Sequence, residues 1–122
     1  MYNKKESIED YLEKILMLKE KQDVVKAIDI ANFMSFSKAS VSIALKKLKS
    51  YNYVTISEKG GYINLTEEGE KIARATYERH QVISRALMSL GVSEKTALED
   101  ACAVEHILSE ETFEILKEKF KK

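Results

Sequence analysis

The chain has no proline and no tryptophan, and only one cysteine, four glycines and two histidines among its 122 residues. Without proline, no helix interior is forced to kink, and so few glycines exclude a long flexible linker. The lone cysteine, Cys102, closes no internal disulfide, so a buried core has to hold the fold. Its thiol is left as core filler, metal ligand, reactive group or intermolecular link. No apolar run approaches the roughly 20 residues of a membrane span. The opening Met-Tyr-Asn-Lys-Lys-Glu leads into no apolar signal segment, and a cytoplasmic location is expected. The 20 basic and 20 acidic residues leave no net charge, which removes the bulk electrostatic argument for nucleic acid.

The charges are nevertheless segregated. Lys26, Lys38, Lys46, Lys47, Lys49 and Lys59 face only Asp29 and Glu58 in one stretch, whereas Glu94 to Glu114 holds seven acids against Lys95. A composition of 44% hydrophobic and 33% charged residues is that of a mainly helical globular chain with room for a real core.

Apolar periodicity and cap residues divide the chain. Ser7 and Asp10 read as a helix start, with Ile8, Leu12, Ile15 and Leu16 on one face as far as about Lys21. A short second helix fits residues 26–34, and Ser35-Phe36 breaks it. Ser37 caps a third helix to about Ser50, with Val41, Ala44, Leu45 and Leu48 as its inner stripe. Val54 and Ile56, then Ile63 and Leu65, alternate about Glu58-Lys59-Gly60-Gly61 as a hairpin. Thr66 caps a long helix ending near Gly91, Ser93 a fifth helix and Ser109 a sixth. The expected fold is mainly α with one β-hairpin: a winged helix-turn-helix over residues 1–68 and a helical half over 69–122.

Helix, short helix, tight turn, helix and hairpin is the order in which a third helix enters the DNA major groove and the hairpin lies along the backbone. With the apolar stripe inward, Lys38, Ala39, Ser42 and Lys46 turn outward, Ser37 and Ser40 stand near the helix start, and Lys59 sits at the wing tip. Lysines neutralise phosphates or donate to guanine, serines bond to either, and alanine permits close approach. The competing reading is a solvated lysine-rich face.

In the acidic half Cys102, Glu105 and His106 have the i, i+3, i+4 spacing of one helix face. A thiolate, a carboxylate and an imidazole suit Fe2+, Co2+, Ni2+ or Zn2+ better than Mg2+ or Ca2+. Asp10 and Glu13 on the first helix and His80 on the fourth are further candidates. Each has a plainer alternative: Asp10 in a capping box with Ser7, Glu13 a solvated acid, His80 a surface residue.

Ser7-Ile8-Glu9-Asp10-Tyr11-Leu12-Glu13-Lys14-Ile15, Leu65-Thr66-Glu67-Glu68-Gly69, Glu78-Arg79-His80 and Cys102-Ala103-Val104-Glu105-His106-Ile107-Leu108-Ser109 together resemble the diphtheria toxin repressor and manganese transport regulator family. The resemblance spans nearly the whole chain. It implies a winged-helix domain, a metal-binding and dimerisation domain, and repression of metal-homeostasis genes by the metal-loaded protein. It also implies ligands at Asp10, Glu13, His80, Glu105 and His106, the positions of the manganese branch. Cys102 stands where that branch has a carboxylate and the iron branch a cysteine. Leu98 and Ser84 stand where the iron branch has ancillary ligands, and the SH3-like third domain of that branch is not in the sequence, whose length is that of the manganese regulators. The implied ion is Mn2+, Fe2+ or Zn2+, with Co2+ or Ni2+ as substitutes in vitro. Metal shared by Asp10, Cys102, Glu105 and His106 is expected to tie the first helix to the helical half and fix the spacing of two recognition helices.

The implied partners are double-stranded operator DNA and a second copy. Phe113, Leu116 and Phe120 form an apolar stripe for a homodimer or, equally, for the chain's own core. The rival readings are a winged-helix regulator with a non-metal ligand and a metal-dependent hydrolase. Cys102 with His106 as nucleophile and base lacks an orienting third group and oxyanion donors, so no enzyme is expected.

Overall fold

The computed structural model describes residues 4–120 and, for side chains, residues 7–120. The elements run α1 (Lys4–Lys21), α2 (Ala27–Met34), α3 (Lys38–Ser50), β1 (Val54–Ile56), β2 (Ile63–Leu65), α4 (Glu67–Ser89), α5 (Glu94–Val104) and α6 (Glu110–Phe120). Two compact units, residues 1–74 and 75–122, divide the chain within α4. The fold is mainly α with one antiparallel hairpin, as the periodicity predicts.

In the first unit α1 packs on α2, α2 on α3, α3 on β1 and β2 on α1. The elements are short, so local signals set their ends. Ser35, in the left-handed region at φ 59, closes α2. Ser37 Oγ accepts from the Ser40 amide at 3.1 Å and starts α3. The hairpin pairs Val54 with Leu65 and Ile56 with Ile63, and Val54 and Ile63 are buried. The Ile63 amide also donates to Val25 O at 2.8 Å, which seats the wing on the end of the first helix's connection.

The first helix begins earlier than its cap signal predicts. It is helical from Lys4, so Ser7 lies inside it and caps nothing. Lys4, Lys5 and Glu6 are good helix formers, and nothing in them stops the helix from extending past a serine. α1 buries Tyr11, Leu12, Ile15, Leu16 and Leu18, along with Asp10 and Glu13. Burial, then the neighbouring Asp10, raises the Tyr11 phenol above its ordinary value.

The second unit is held by side chains that cross between helices. α4 supplies Val82, Ile83 and Ala86 to its core, α5 Ala97 and Ala101, and α6 Phe113. Arg85 donates to Phe120 O at 3.3 Å and Lys117 pairs with Glu78 at 2.9 Å, so the last turn of α6 is tied to α4. Ser93 and Ser109 cap α5 and α6 through the amides of Thr96 and Thr112. Among the described residues no helix is long and apolar enough to cross a membrane.

The start of α4 explains the glycine in Leu65-Thr66-Glu67-Glu68-Gly69. Thr66 Oγ1 accepts from the Gly69 amide at 3.0 Å and donates to Asn52 O at 2.7 Å, while the Thr66 amide donates to Tyr53 O at 3.0 Å. These bonds draw the helix so close that a Cβ on Gly69 would stand 2.0 Å from Tyr53 O. Alanine in a helix is ordinarily stabilising by about 1 kcal/mol over glycine. Gly69→Ala should reverse that sign and cost about 2 kcal/mol or more in urea unfolding of the metal-free protein, because backbone rather than a flexible side chain has to move. An unchanged or raised midpoint would refute this packing.

Candidate metal centre and DNA-facing surface

In the helical unit α5 stops at Val104, and Glu105 and His106 lie in the turn that follows it. This corrects the continuous helix expected through Leu108, although Glu105 keeps helical dihedrals and its amide still donates to Ala101 O. Glu105 is 1% exposed and stands between two imidazoles. His80 Nδ1, on α4, donates to its Oε1 at 3.0 Å, and His106 Nε2 lies 3.8 Å from its Oε2, too far for a hydrogen bond. Cys102 is half-buried on α5, one turn before Glu105. His80, weighed in the sequence against a plain surface residue, is therefore drawn onto a buried carboxylate.

Sequence reasoning passed over the residue that positions this turn. The turn after α5 leaves carbonyls that need donors. Arg79 supplies them, donating from Nη1 to Leu108 O at 2.6 Å and to Glu105 O at 3.4 Å, and from Nη2 to Glu110 Oε1 at 3.2 Å. Its guanidinium also lies 4.9 Å over the Phe113 ring, which is buried in its own unit. Leu116 and Phe120, the rest of the proposed apolar stripe, are half-buried. The available signal was an arginine directly beside a candidate histidine ligand, a common enough pair that it marks nothing by itself.

On α1, Asp10 and Glu13 form the other acidic group. Lys14 Nζ donates to Asp10 Oδ1 at 3.0 Å and to Glu13 Oε1 at 3.2 Å. Asp10 is thus bonded to Lys14, and Ser7, inside the helix, is not the N-cap of a capping box. Glu13 is completely buried, and its Oε2 has no hydrogen-bond partner among the described residues. A buried carboxylate oxygen left over in this way costs about 1–3 kcal/mol, which a cation would offset. Carboxylate oxygens and imidazole nitrogens are donors that Mn2+, Fe2+ and Zn2+ accept, so the residues present fit a divalent transition metal.

The DNA-facing candidates all sit in the first unit. Ser37, Lys38, Ala39, Ser40, Ser42 and Lys46 are exposed along α3, and Lys59 is exposed at the wing. Gly60 and Gly61 turn the wing at φ 84 and 64, and Ser57 closes its base by accepting from the Tyr62 amide through Oγ at 2.9 Å. Lys26 Nζ lies 5.5 Å over the Tyr62 ring, adding a cation beside the hairpin. Lys47 and Ile43 are also exposed on α3, outside the expected set.

Lys14 occupies the place of a counter-charge for two buried carboxylates. Lys14→Met should destabilise the metal-free protein by about 2 kcal/mol, since each carboxylate loses a charge-assisted bond. Adding Glu13→Gln should recover part of that loss, a coupling read from urea midpoints in chelator. Strictly additive effects would show that Lys14 does not neutralise Glu13.

Comparison with known proteins places this geometry. Residues 5–62 match the family model for the iron-dependent repressor N-terminal DNA-binding domain, and residues 66–122 that for the iron-dependent repressor metal-binding and dimerisation domain. The chain is 41% identical over 121 residues to an uncharacterised HTH-type transcriptional regulator of Methanocaldococcus jannaschii, covering 95% of this chain and 96% of that one. It is 35% identical to the transcriptional regulator MntR of Escherichia coli over 115 residues, 94% of this chain and 74% of the relative. The solved manganese regulator SloR superposes with a TM-score of 0.80 at 33% identity, over 92% of this chain and 52% of that protein, so this chain spans about half its length. The chain belongs to the diphtheria toxin repressor and manganese transport regulator family of metal-dependent repressors.

Proposed function

We propose that this protein is a cytoplasmic, metal-dependent transcriptional repressor that binds operator DNA as a homodimer and acts by binding rather than by catalysis. The observation that carries the reading is a fully buried carboxylate, Glu105, set between His80 and His106 in a chain whose other unit is a lysine-faced winged helix.

In the helical unit His80, Glu105 and His106 would hold the ion, with Cys102 as a further donor. On α1 the family resemblance assigns the same role to Asp10 and Glu13. A bound Mn2+, Fe2+ or Zn2+ supplies positive charge to carboxylates that the fold has taken out of water. The chain's own part is to hold those donors ready. Arg79 fixes the turn that carries Glu105 and His106, and Lys14 holds the Asp10 and Glu13 carboxylates together. Because α1 begins the DNA-binding unit, donors on it give metal binding a direct route into that unit. Ser42 and Lys46 on α3 serve base edges and phosphates, with Lys38 at the helix start and Lys59 on the wing at the backbone. Leu116 and Phe120, together with the strongly exposed Leu90 and Ile107, offer the helical unit apolar surface for a second copy.

Two experiments test this reading. Chelator-stripped, reduced protein titrated anaerobically with Mn2+, Fe2+ or Zn2+ should bind genomic DNA fragments at least about fivefold tighter with the right ion, the lower end of allosteric coupling. Glu105→Ala/His106→Ala should lose that gain while keeping weak metal-independent binding. DNA affinity that is equal with and without every ion would refute the switch. In the second, Lys38→Ala/Lys46→Ala should weaken binding to all sequences and flatten the dependence of log affinity on log salt by about two per protomer. An unchanged slope would remove these lysines from the DNA surface.

A further inference from the structure

The outward side of α3 carries a residue that charge does not explain. Ile43 is 59% exposed, although its helix buries Val41, Leu45 and Leu48. At helical spacing it lies opposite that stripe, with Ala39 one turn before it and Lys46 and Lys47 one turn after. Ala39, Ser42, Lys46 and Lys47 are all exposed. A branched aliphatic side chain thus stands at the crest of the helix, between small neighbours on one side and cations on the other.

An apolar protein partner would have to desolvate those lysines, whereas interface cores are depleted of charge. A polyanion has the opposite preference, since its phosphates take up the cations. Within the DNA major groove the thymine C5-methyl is the one apolar group on a base edge, and isoleucine, having neither donor nor acceptor, has nothing else there to read.

We propose that Ile43 is a specificity-determining residue that packs on a thymine methyl in each operator half-site. The inference rests on the repressor reading above. Its test is to select binding sites from random duplexes with protein loaded in turn with Mn2+, Fe2+ or Zn2+, then replace each selected thymine in turn by deoxyuridine, which lacks only the methyl. At one thymine per half-site the wild type should lose about fourfold, the equivalent of one buried carbon. Ile43→Ala should bind the two duplexes equally, with the same salt dependence as wild type and an unchanged thermal melt. Losses equal in wild type and variant at every thymine, no loss at any thymine, or a lowered melt marking Ile43 as core, each overturn the proposal. If the loaded wild type enriches no sequence, the repressor reading falls and this one with it. If it enriches a site whose thymine methyls are all dispensable, only this inference falls.

Discussion

The helical unit is organised around one buried charge. A carboxylate removed from water costs several kcal/mol unless it is paired and hydrogen-bonded, and Glu105 takes a hydrogen bond from His80, with the His106 imidazole 3.8 Å away on its other oxygen. Much of the unit follows from this. α5 ends before Glu105 and His106, the turn that follows has carbonyls in need of a donor, and Arg79 provides it. The arginine in turn needs a surface to lie on, and Phe113 is that surface.

The same physics recurs on α1 in a more economical form. Asp10 and Glu13 are buried within three residues of one another, and Lys14, on the same helix, bridges them. Such an arrangement sacrifices stability, since well-packed apolar residues of similar volume would hold a helix as well or better.

From α2 to the start of α4 the winged-helix part has no such conflict, and its local chemistry and packing agree. Its caps and turns are satisfied by nearby side chains, and its tightest spot, Gly69 against Tyr53, is a close approach that glycine alone permits. That consistency frees the outer face of α3 from structural duty. The exposed lysines, serines and Ile43 take no part in the core.

Wherever a signal is local, it was legible in the residues. Ser37, Thr66, Ser93 and Ser109 cap the helices that their side chains imply, because a cap is a bond to an amide three residues away. Period-two alternation likewise gave the hairpin its register about Gly60-Gly61. The local signal failed at Ser7, where propensity upstream carried the helix past a good cap, and at Glu105, where α5 has ended although the spacing of Cys102, Glu105 and His106 is helical. The sequence by itself determined the helices, the wing, the exposed cationic face and the candidate donors, all of which depend on neighbours within a turn or two. Only the tertiary structure decided that His80 reaches Glu105 across 25 positions and that Arg79 braces the turn. It also laid Arg79 and Lys117 over a buried Phe113. These depend on how far one helix stands from another, which no spacing along a chain specifies.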